Sequence, residues 1–167
     1  NCHPFRHGKH LFMHNGQIGG YDGFRRDAEM LIPDQLYPHR RGATDSEALF
    51  LVALAEGLDD DPRGALERAA ARFIRLARAK GQGPHLRLTA ALSDGQRLYA
   101  VRYSTDDAAP SLYHRWSDTR QGRAVVSEPL EAEEHGWEEV PPYSFCTFDG
   151  ETAMVEDFLP CRLASAA

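Results

Sequence analysis

The spacing of apolar residues changes once along this chain, from mostly helical in the first half to strand-like after Gly83. In the first half, residues 20–32 carry apolar side chains close to helical spacing, and Pro33 follows directly. Charged side chains occupy the positions between the apolar ones. This pattern predicts a short amphipathic helix that ends before the proline.

Two further helices are predicted before this change. Thr44 and Glu47 form a capping-box pattern at the start of an apolar run over residues 48–55. That helix should be buried on most sides, because its apolar residues are not confined to one face. Residues 59–62 (Asp-Asp-Asp-Pro) predict a loop and N-cap before a third helix over residues 63–80, which has one apolar face and arginines elsewhere.

The second half of the chain has the pattern of β-strands. Residues 86–92 and 98–103, separated by Asp94 and Gly95, predict a hairpin. Further strands are predicted at residues 112–113, 124–126, 143–148 and 152–155, with Asp149 and Gly150 as a tight turn before the last one. Helices followed by strands with short connections indicate an α+β layered fold, and 167 residues fit a single domain over residues 1–167.

The charge and hydropathy of the sequence indicate which classes of partner the protein does not bind. Asp and Glu outnumber Lys and Arg by 25 to 19, which gives a net charge of −6 and a pI near 5.7. No basic stripe with interleaved aromatic residues is present, so we expect no nucleic-acid partner. No apolar run approaches the ~20 residues of a membrane helix, and there is no signal-peptide pattern. We therefore expect a cytoplasmic protein with no membrane partner. The sequence leaves open whether the protein forms a homo-oligomer.

The cysteines and histidines are the candidate metal ligands of this chain. Three cysteines without a close pair indicate neither a disulfide framework nor a zinc site, and Cys146 has the surroundings of a buried strand residue. Four histidines crowd the opening, but their spacing does not fit a helix and no Cys or paired carboxylate lies nearby. They are His3, His7, His10 and His14. We expect surface or turn histidines, no metal and no cofactor.

Asn15 and Gly16 are the first candidates for chemistry. Asn-Gly is a strong turn signal because both residues tolerate positive φ, and such a turn can aim the Asn side-chain amide and the Gly backbone N–H at one point. Two donors arranged in this way can form an oxyanion hole. The alternative is a hairpin corner without a function.

Asp45 also has two interpretations. An acidic residue in the first turn of a helix is stabilised by the helix dipole and needs no further role. Alternatively, a carboxylate fixed at a buried helix start, near an oxyanion turn, can pair with the ammonium group of a substrate.

Together, these segments resemble the class II glutamine amidotransferases, which belong to the N-terminal-nucleophile hydrolases. Residues 1–5 (Asn-Cys-His-Pro-Phe) are similar to the family's Asn-Thr-His-Pro-Phe segment, residues 12–18 to its His-Asn-Gly turn, and residues 44–47 (Thr-Asp-Ser-Glu) to its helix start. Residues 125–130, Trp137 and residues 140–141 are similar to its closing segment. Within this family, the sequence resembles the small single-domain bacterial members more than those fused to synthetase domains.

The resemblance implies a fold and a site. The fold would be the four-layer αββα sandwich, here without its first strands. Asn15 and the N–H of Gly16 would stabilise the oxyanion that forms when the side-chain amide of glutamine is attacked. Asp45 would hold the α-ammonium group of the substrate, and His3 would line the pocket. The partner would be a small molecule, either glutamine or a γ-glutamyl compound.

The nucleophile of the family is a cysteine at the mature N-terminus, and no such residue begins this sequence. Cys2 takes the place of a Thr inside a motif, so the role of the nucleophile is not transferred to it. We expect the sequence to be the larger, C-terminal part of the domain, with the nucleophile, a substrate-binding Arg and the early strands before Asn1. If residues 1–167 were the whole gene product, we would expect no glutaminase activity.

The main functional hypothesis is an amidohydrolase that releases ammonia and glutamate from glutamine through a Cys thioester. One alternative is a γ-glutamyl hydrolase acting on a larger conjugate. A second is a catalytically inactive relative that serves as a binding or regulatory subunit. A third, a metal-dependent hydrolase built on the opening histidines, would contain stoichiometric zinc.

Overall fold

The computed structural model describes residues 2–80, 83–129 and 136–160. Its α-helices are α1 (Tyr21–Glu29), α2 (Asp45–Ala55) and α3 (Pro62–Ala79), and Tyr37–His39 form a short 3-10 helix. The three predicted helices are therefore confirmed. Thr44 caps α2, since its side chain accepts the N–H of Glu47 at 3.3 Å, and Asp61 caps α3 by accepting the N–H of Gly64 at 3.0 Å.

Nine strands form two antiparallel sheets within the described residues. The strands are β1 (Phe5–His7), β2 (His10–Gln17), β3 (Arg87–Ser93), β4 (Leu98–Ser104), β5 (Tyr113–Ser117), β6 (Gly122–Val126), β7 (Glu138–Glu139), β8 (Ser144–Asp149) and β9 (Thr152–Asp157). The larger sheet has the order β1-β2-β3-β4-β8-β9, and the smaller one has the order β6-β5-β7. The predicted hairpin at Asp94 and Gly95 joins β3 to β4, and the mixed α+β class is confirmed.

The predicted turn at Asn15 and Gly16 is wrong. Both residues lie within β2, where Asn15 is opposite Thr89 and Gly16 is opposite Leu88 of β3. The pairing of β2 with β3 supplies ladder hydrogen bonds that outweigh the local turn preference of Asn-Gly. The chain turns only after Gln17, before α1 begins at Tyr21.

Two of the opening histidines also differ from the expectation of surface or turn positions. His10 is 2% exposed and His14 is 7% exposed. Both side chains alternate with exposed neighbours along β2 and point to its helix-facing side. Among the described residues, no group of three or more His, Cys, Asp or Glu side chains is arranged to hold a metal ion.

The larger sheet has a hydrophobic core on each face. Val101 belongs to the main core with the helices, whereas its neighbour Ala100 belongs to a smaller core with Leu112 and Val140. Adjacent residues of a strand point to opposite faces, so the helices cover one face and the smaller sheet packs on part of the other. Cys146 lies in β8 within the smaller core and is fully buried, as predicted.

No described helix combines the length and the apolar character that crossing a bilayer requires.

Candidate functional site

The end of strand β2 carries the predicted site. Because side chains alternate along the strand, His14 faces the helices whereas Met13 and Asn15 face the other side of the sheet. β1 pairs with β2 only up to Phe12. Within the described residues, the edge of β2 opposite β3 is therefore unpaired beyond that point, and alternate backbone N–H groups there point away from β3.

Gly16 lies where the backbones of β2 and β3 leave no room for a side chain. Its φ is 156°, and a Cβ built on it would overlap the carbonyl oxygen of Arg87 and lie 2.7 Å from His14 Nε2. An L-residue with a side chain would have to push these groups apart. The sequence pattern indicated that this glycine forms a turn. In the structure, a glycine is required because the backbones of β2 and β3 lie close together at this position.

Asn15 and His3 line one cavity of about 140 Å³. Its other walls include Thr89 of β3, Leu112 directly before β5, and Val125 and Val126 at the end of β6 with Ser127 directly after them. Most of these wall residues are apolar, so the polar side chains of Asn15 and His3 can orient a small ligand there. The His3 ring is held against Phe5, with ring centroids 4.6 Å apart.

Asp45 is the first residue of α2, and its carboxylate is held by backbone N–H groups. Oδ2 accepts the N–H of Ile18 at 2.8 Å, and Oδ1 accepts the N–H of Ser46 at 2.8 Å. The carboxylate is thus fixed at the point where the chain leaves β2. It lines an open depression of about 580 Å³ together with residues from Gln17 to Gly23.

The polar groups of Asp45, Ser46 and His14 connect the start of α2 with β3. Ser46 Oγ lies 2.8 Å from His14 Nδ1 and 3.2 Å from Asp45 Oδ1. On the other side of the ring, His14 Nε2 lies 3.1 Å from the carbonyl oxygen of Arg87. Burial lowers the pKa of His14, and this outweighs the opposing effects of the Arg87 carbonyl and the Asp45 carboxylate. The imidazole is therefore neutral at neutral pH.

The four predicted residues thus do not share one cavity. Asn15 and His3 line the same cavity, and Gly16 follows Asn15 in the strand. Asp45 lines a different depression, which has no lining residue in common with that cavity, but its carboxylate is bound to the chain just after β2 through Ile18. Neither His14 nor Ser46 was predicted as a site residue, although each stands inside a recognised motif, directly before Asn15 and directly after Asp45.

The loop before α2 is held by Glu47. Its carboxylate accepts the N–H groups of Arg41 at 2.9 Å and Gly42 at 2.8 Å. The predicted capping pair therefore has a further role, because its acidic member also fixes the chain that leads to Asp45.

The cysteines that the structure describes lie away from the Asn15 cavity. Cys2 is exposed and borders a different depression beside Phe5 and Arg6. Cys146 is buried in β8, and burial raises the pKa of its thiol. Cys161 lies outside the described residues. Another pocket of about 540 Å³ lies on the smaller sheet and is lined by Arg115, Arg120 and Arg123 among others, but by none of the four predicted site residues.

No family model matches this chain. Among curated proteins, it is 31% identical to the probable glutamine amidotransferase DUG3 of Saccharomyces cerevisiae over 95% of the chain. The chain spans 55% of the length of that relative.

Solved structures give the same assignment. The chain superposes on a glutamine aminotransferase class-II domain protein from Silicibacter pomeroyi with a TM-score of 0.91 and 57% identity, over 95% of this chain and 71% of that one. Glutamine phosphoribosylpyrophosphate amidotransferase from B. subtilis shares the fold, with a TM-score of 0.63 at 14% identity, over 95% of this chain and 32% of that one. On the high identity to the Silicibacter protein over most of both chains, this chain belongs to the class II glutamine amidotransferase family.

Proposed function

We propose that the full-length protein is a glutamine amidotransferase-type amidohydrolase, which releases ammonia and glutamate from glutamine. The observation that supports this most directly is the meeting of three separate motifs at one end of β2. His3 and Asn15 line one cavity, and the Asp45 carboxylate is bound to the backbone three residues beyond Asn15.

In this proposal, the reaction begins when a cysteine thiolate attacks the γ-carbonyl carbon of glutamine. The carbonyl oxygen becomes negative in the tetrahedral intermediate, and the Asn15 amide and the Gly16 N–H donate hydrogen bonds to it. The intermediate collapses when ammonia leaves with a proton taken from the base that had deprotonated the thiol, and a thioester remains. Water then attacks the thioester and releases glutamate.

Asp45 would hold the α-ammonium group of the substrate throughout both steps. A charged substrate group requires a fixed counter-charge, and this carboxylate is already held by the N–H groups of Ile18 and Ser46. Neither described cysteine borders the Asn15 cavity, so we propose a cysteine of the full-length protein other than Cys2 and Cys146 as the nucleophile. We also propose that the complete domain is the four-layer αββα sandwich.

The test uses the full-length protein with free glutamine, γ-glutamyl conjugates and a diazoketone analogue of glutamine. We expect glutamate and ammonia from free glutamine, and one covalent adduct on a cysteine, located by mass spectrometry. Turnover of conjugates without turnover of glutamine would replace the proposal with a γ-glutamyl hydrolase. A full-length protein with neither turnover nor labelling would be an inactive relative.

A further inference from the structure

We propose that Ser46 is a positioning residue that joins the two halves of the site, with its hydroxyl group bound to His14 and its backbone N–H bound to Asp45. This inference rests on the proposed function, in which Asn15 and Gly16 act on the reacting carbonyl and Asp45 on the α-ammonium group. Ser46 follows Asp45 in α2 and is 7% exposed. Its Oγ is within hydrogen-bond distance of both His14 Nδ1 at 2.8 Å and Asp45 Oδ1 at 3.2 Å.

The direction of each hydrogen bond follows from its partners. The carbonyl oxygen of Arg87 can only accept, so His14 Nε2 carries the proton in the bond at 3.1 Å. In the neutral ring, Nδ1 is then an acceptor, and the hydroxyl of Ser46 donates to it. The backbone N–H of Ser46 donates to Asp45 Oδ1 at 2.8 Å. Ser46 thus holds the histidine by its hydroxyl and the carboxylate by its amide.

The orientation of His14 matters because its ring borders Gly16. A Cβ on Gly16 would lie only 2.7 Å from His14 Nε2, so the ring fills the space on the helix-facing side of the proposed oxyanion donor. The loss of the Ser46 hydroxyl leaves Nδ1 of a buried ring without this donor. The ring then keeps only its bond to the Arg87 carbonyl, and both the Gly16 backbone and the first turn of α2 lose a common support.

The test compares Ser46→Ala with Ser144→Ala in the full-length protein. Ser144 is a matched control, since it is 4% exposed and its Oγ donates to the Pro141 carbonyl at 2.6 Å, away from the site. We expect Ser46→Ala to raise KM for glutamine and to lower kcat by roughly five- to tenfold each, because the combined change in kcat/KM is typical of a buried acceptor left without its donor. Ser46→Thr, which retains a hydroxyl group, should recover most of the KM.

A purely structural role would give a different result. A smaller folded fraction lowers the apparent kcat but leaves KM unchanged, so a wild-type KM in Ser46→Ala would overturn the inference. In an Asp45→Ala background, Ser46→Ala should raise KM no further, because the ammonium contact is already absent. A full additional rise of KM in the double variant would equally contradict the proposed link.

A measurement without turnover separates this inference from the proposed function. The ¹⁵N NMR signal of the unprotonated ring nitrogen of His14 should shift in Ser46→Ala and stay in place in Ser144→Ala. If the wild-type protein does not act on glutamine, the proposed function fails while this signal still reports the Ser46 bond. An unchanged His14 signal in Ser46→Ala would overturn the bond on which the inference depends.

Discussion

The two ends of strand β2 offer a direct comparison, because each has a buried histidine on the helix-facing side. At the start, His10 Nε2 makes no hydrogen bond within the described residues, and it lies 3.9 Å from Asp59 Oδ1. Asp59 is itself exposed and pairs with Lys9. At the end, both ring nitrogens of His14 have partners at 2.8 and 3.1 Å.

Burial alone therefore does not mark a functional residue. Both histidines are more than nine-tenths buried, yet only His14 belongs to a connected set of polar groups with fixed partners. Sites that stabilise a developing charge need donors and acceptors held in place before the substrate arrives. The end of β2 meets this requirement, and the start of β2 serves as an internal control for each prediction.

The largest expected effect is on Asn15. Replacing it with Ala should lower kcat for glutamine hydrolysis by about 10²–10³-fold, the typical loss for one oxyanion donor, with little change in KM. Leu11→Ala is the control, since Leu11 faces the same side of the sheet near the other end of the strand and is 41% exposed. Steady-state kinetics of the two full-length variants would give kcat and KM for each. Similar small losses of kcat in both variants would show that Asn15 does not stabilise the oxyanion.

The second prediction compares the acidic residues near each histidine. Asp45→Asn should raise KM for glutamine by roughly 10- to 100-fold, because a hydrogen-bonded charge pair contributes about 1.5–3 kcal/mol. Asn retains an oxygen that can accept the Ile18 N–H. Asp59→Asn should leave KM unchanged. An analogue of glutamine without the α-amine tests the ammonium contact directly, because the wild-type protein and Asp45→Asn should turn it over with similar KM and kcat. An Asp45-dependent KM for that analogue would contradict ammonium binding.

The third prediction compares Gly16, within β2, with Gly8, which lies just before the strand. Gly16→Ala should lower the free energy of unfolding by about 2–3 kcal/mol, because its Cβ meets the Arg87 backbone. Gly8 has a φ of 55° and open space where a Cβ would lie, so Gly8→Ala should lose only about 1 kcal/mol from backbone strain. Urea unfolding of both variants gives the two values. Equal losses would mean that the close approach of β2 and β3 does not constrain position 16.

The sequence was most informative where local interactions determine the structure. Capping by Thr44 and the Asp94–Gly95 hairpin depend on residues within a few positions, so propensities predicted both. The Asn15 turn was mispredicted because its competitor, the pairing with Thr89, comes from residues more than seventy positions away. The bond between Ser46 and His14 joins motifs 32 residues apart, and only the packing of α2 against β2 brings them together.

The smallest expected effect is the dependence of stability on pH. Burial lowers the pKa of His10, and likewise those of His14 and His114. Below the ordinary histidine pKa of about 6.5, the unfolded state therefore binds more protons than the folded state, and stability falls as the pH drops. Above that pH, the three histidines do not make the free energy of unfolding depend on pH.

The substitution His10→Leu separates the contribution of His10 to this pH dependence from those of His14 and His114. The substitution removes a buried ring whose Nε2 has no hydrogen bond within the described residues, so stability at pH 7.5 should be unchanged or higher. Between pH 7 and 5.5, the loss of stability should be smaller than in wild type by up to about 1 kcal/mol, measured by urea unfolding at each pH. Leu11→Ala, next to it on the exposed side, should keep the wild-type slope. An unaltered slope in His10→Leu would mean that this histidine is protonated equally in both states, and would contradict the lowered pKa that burial gives it.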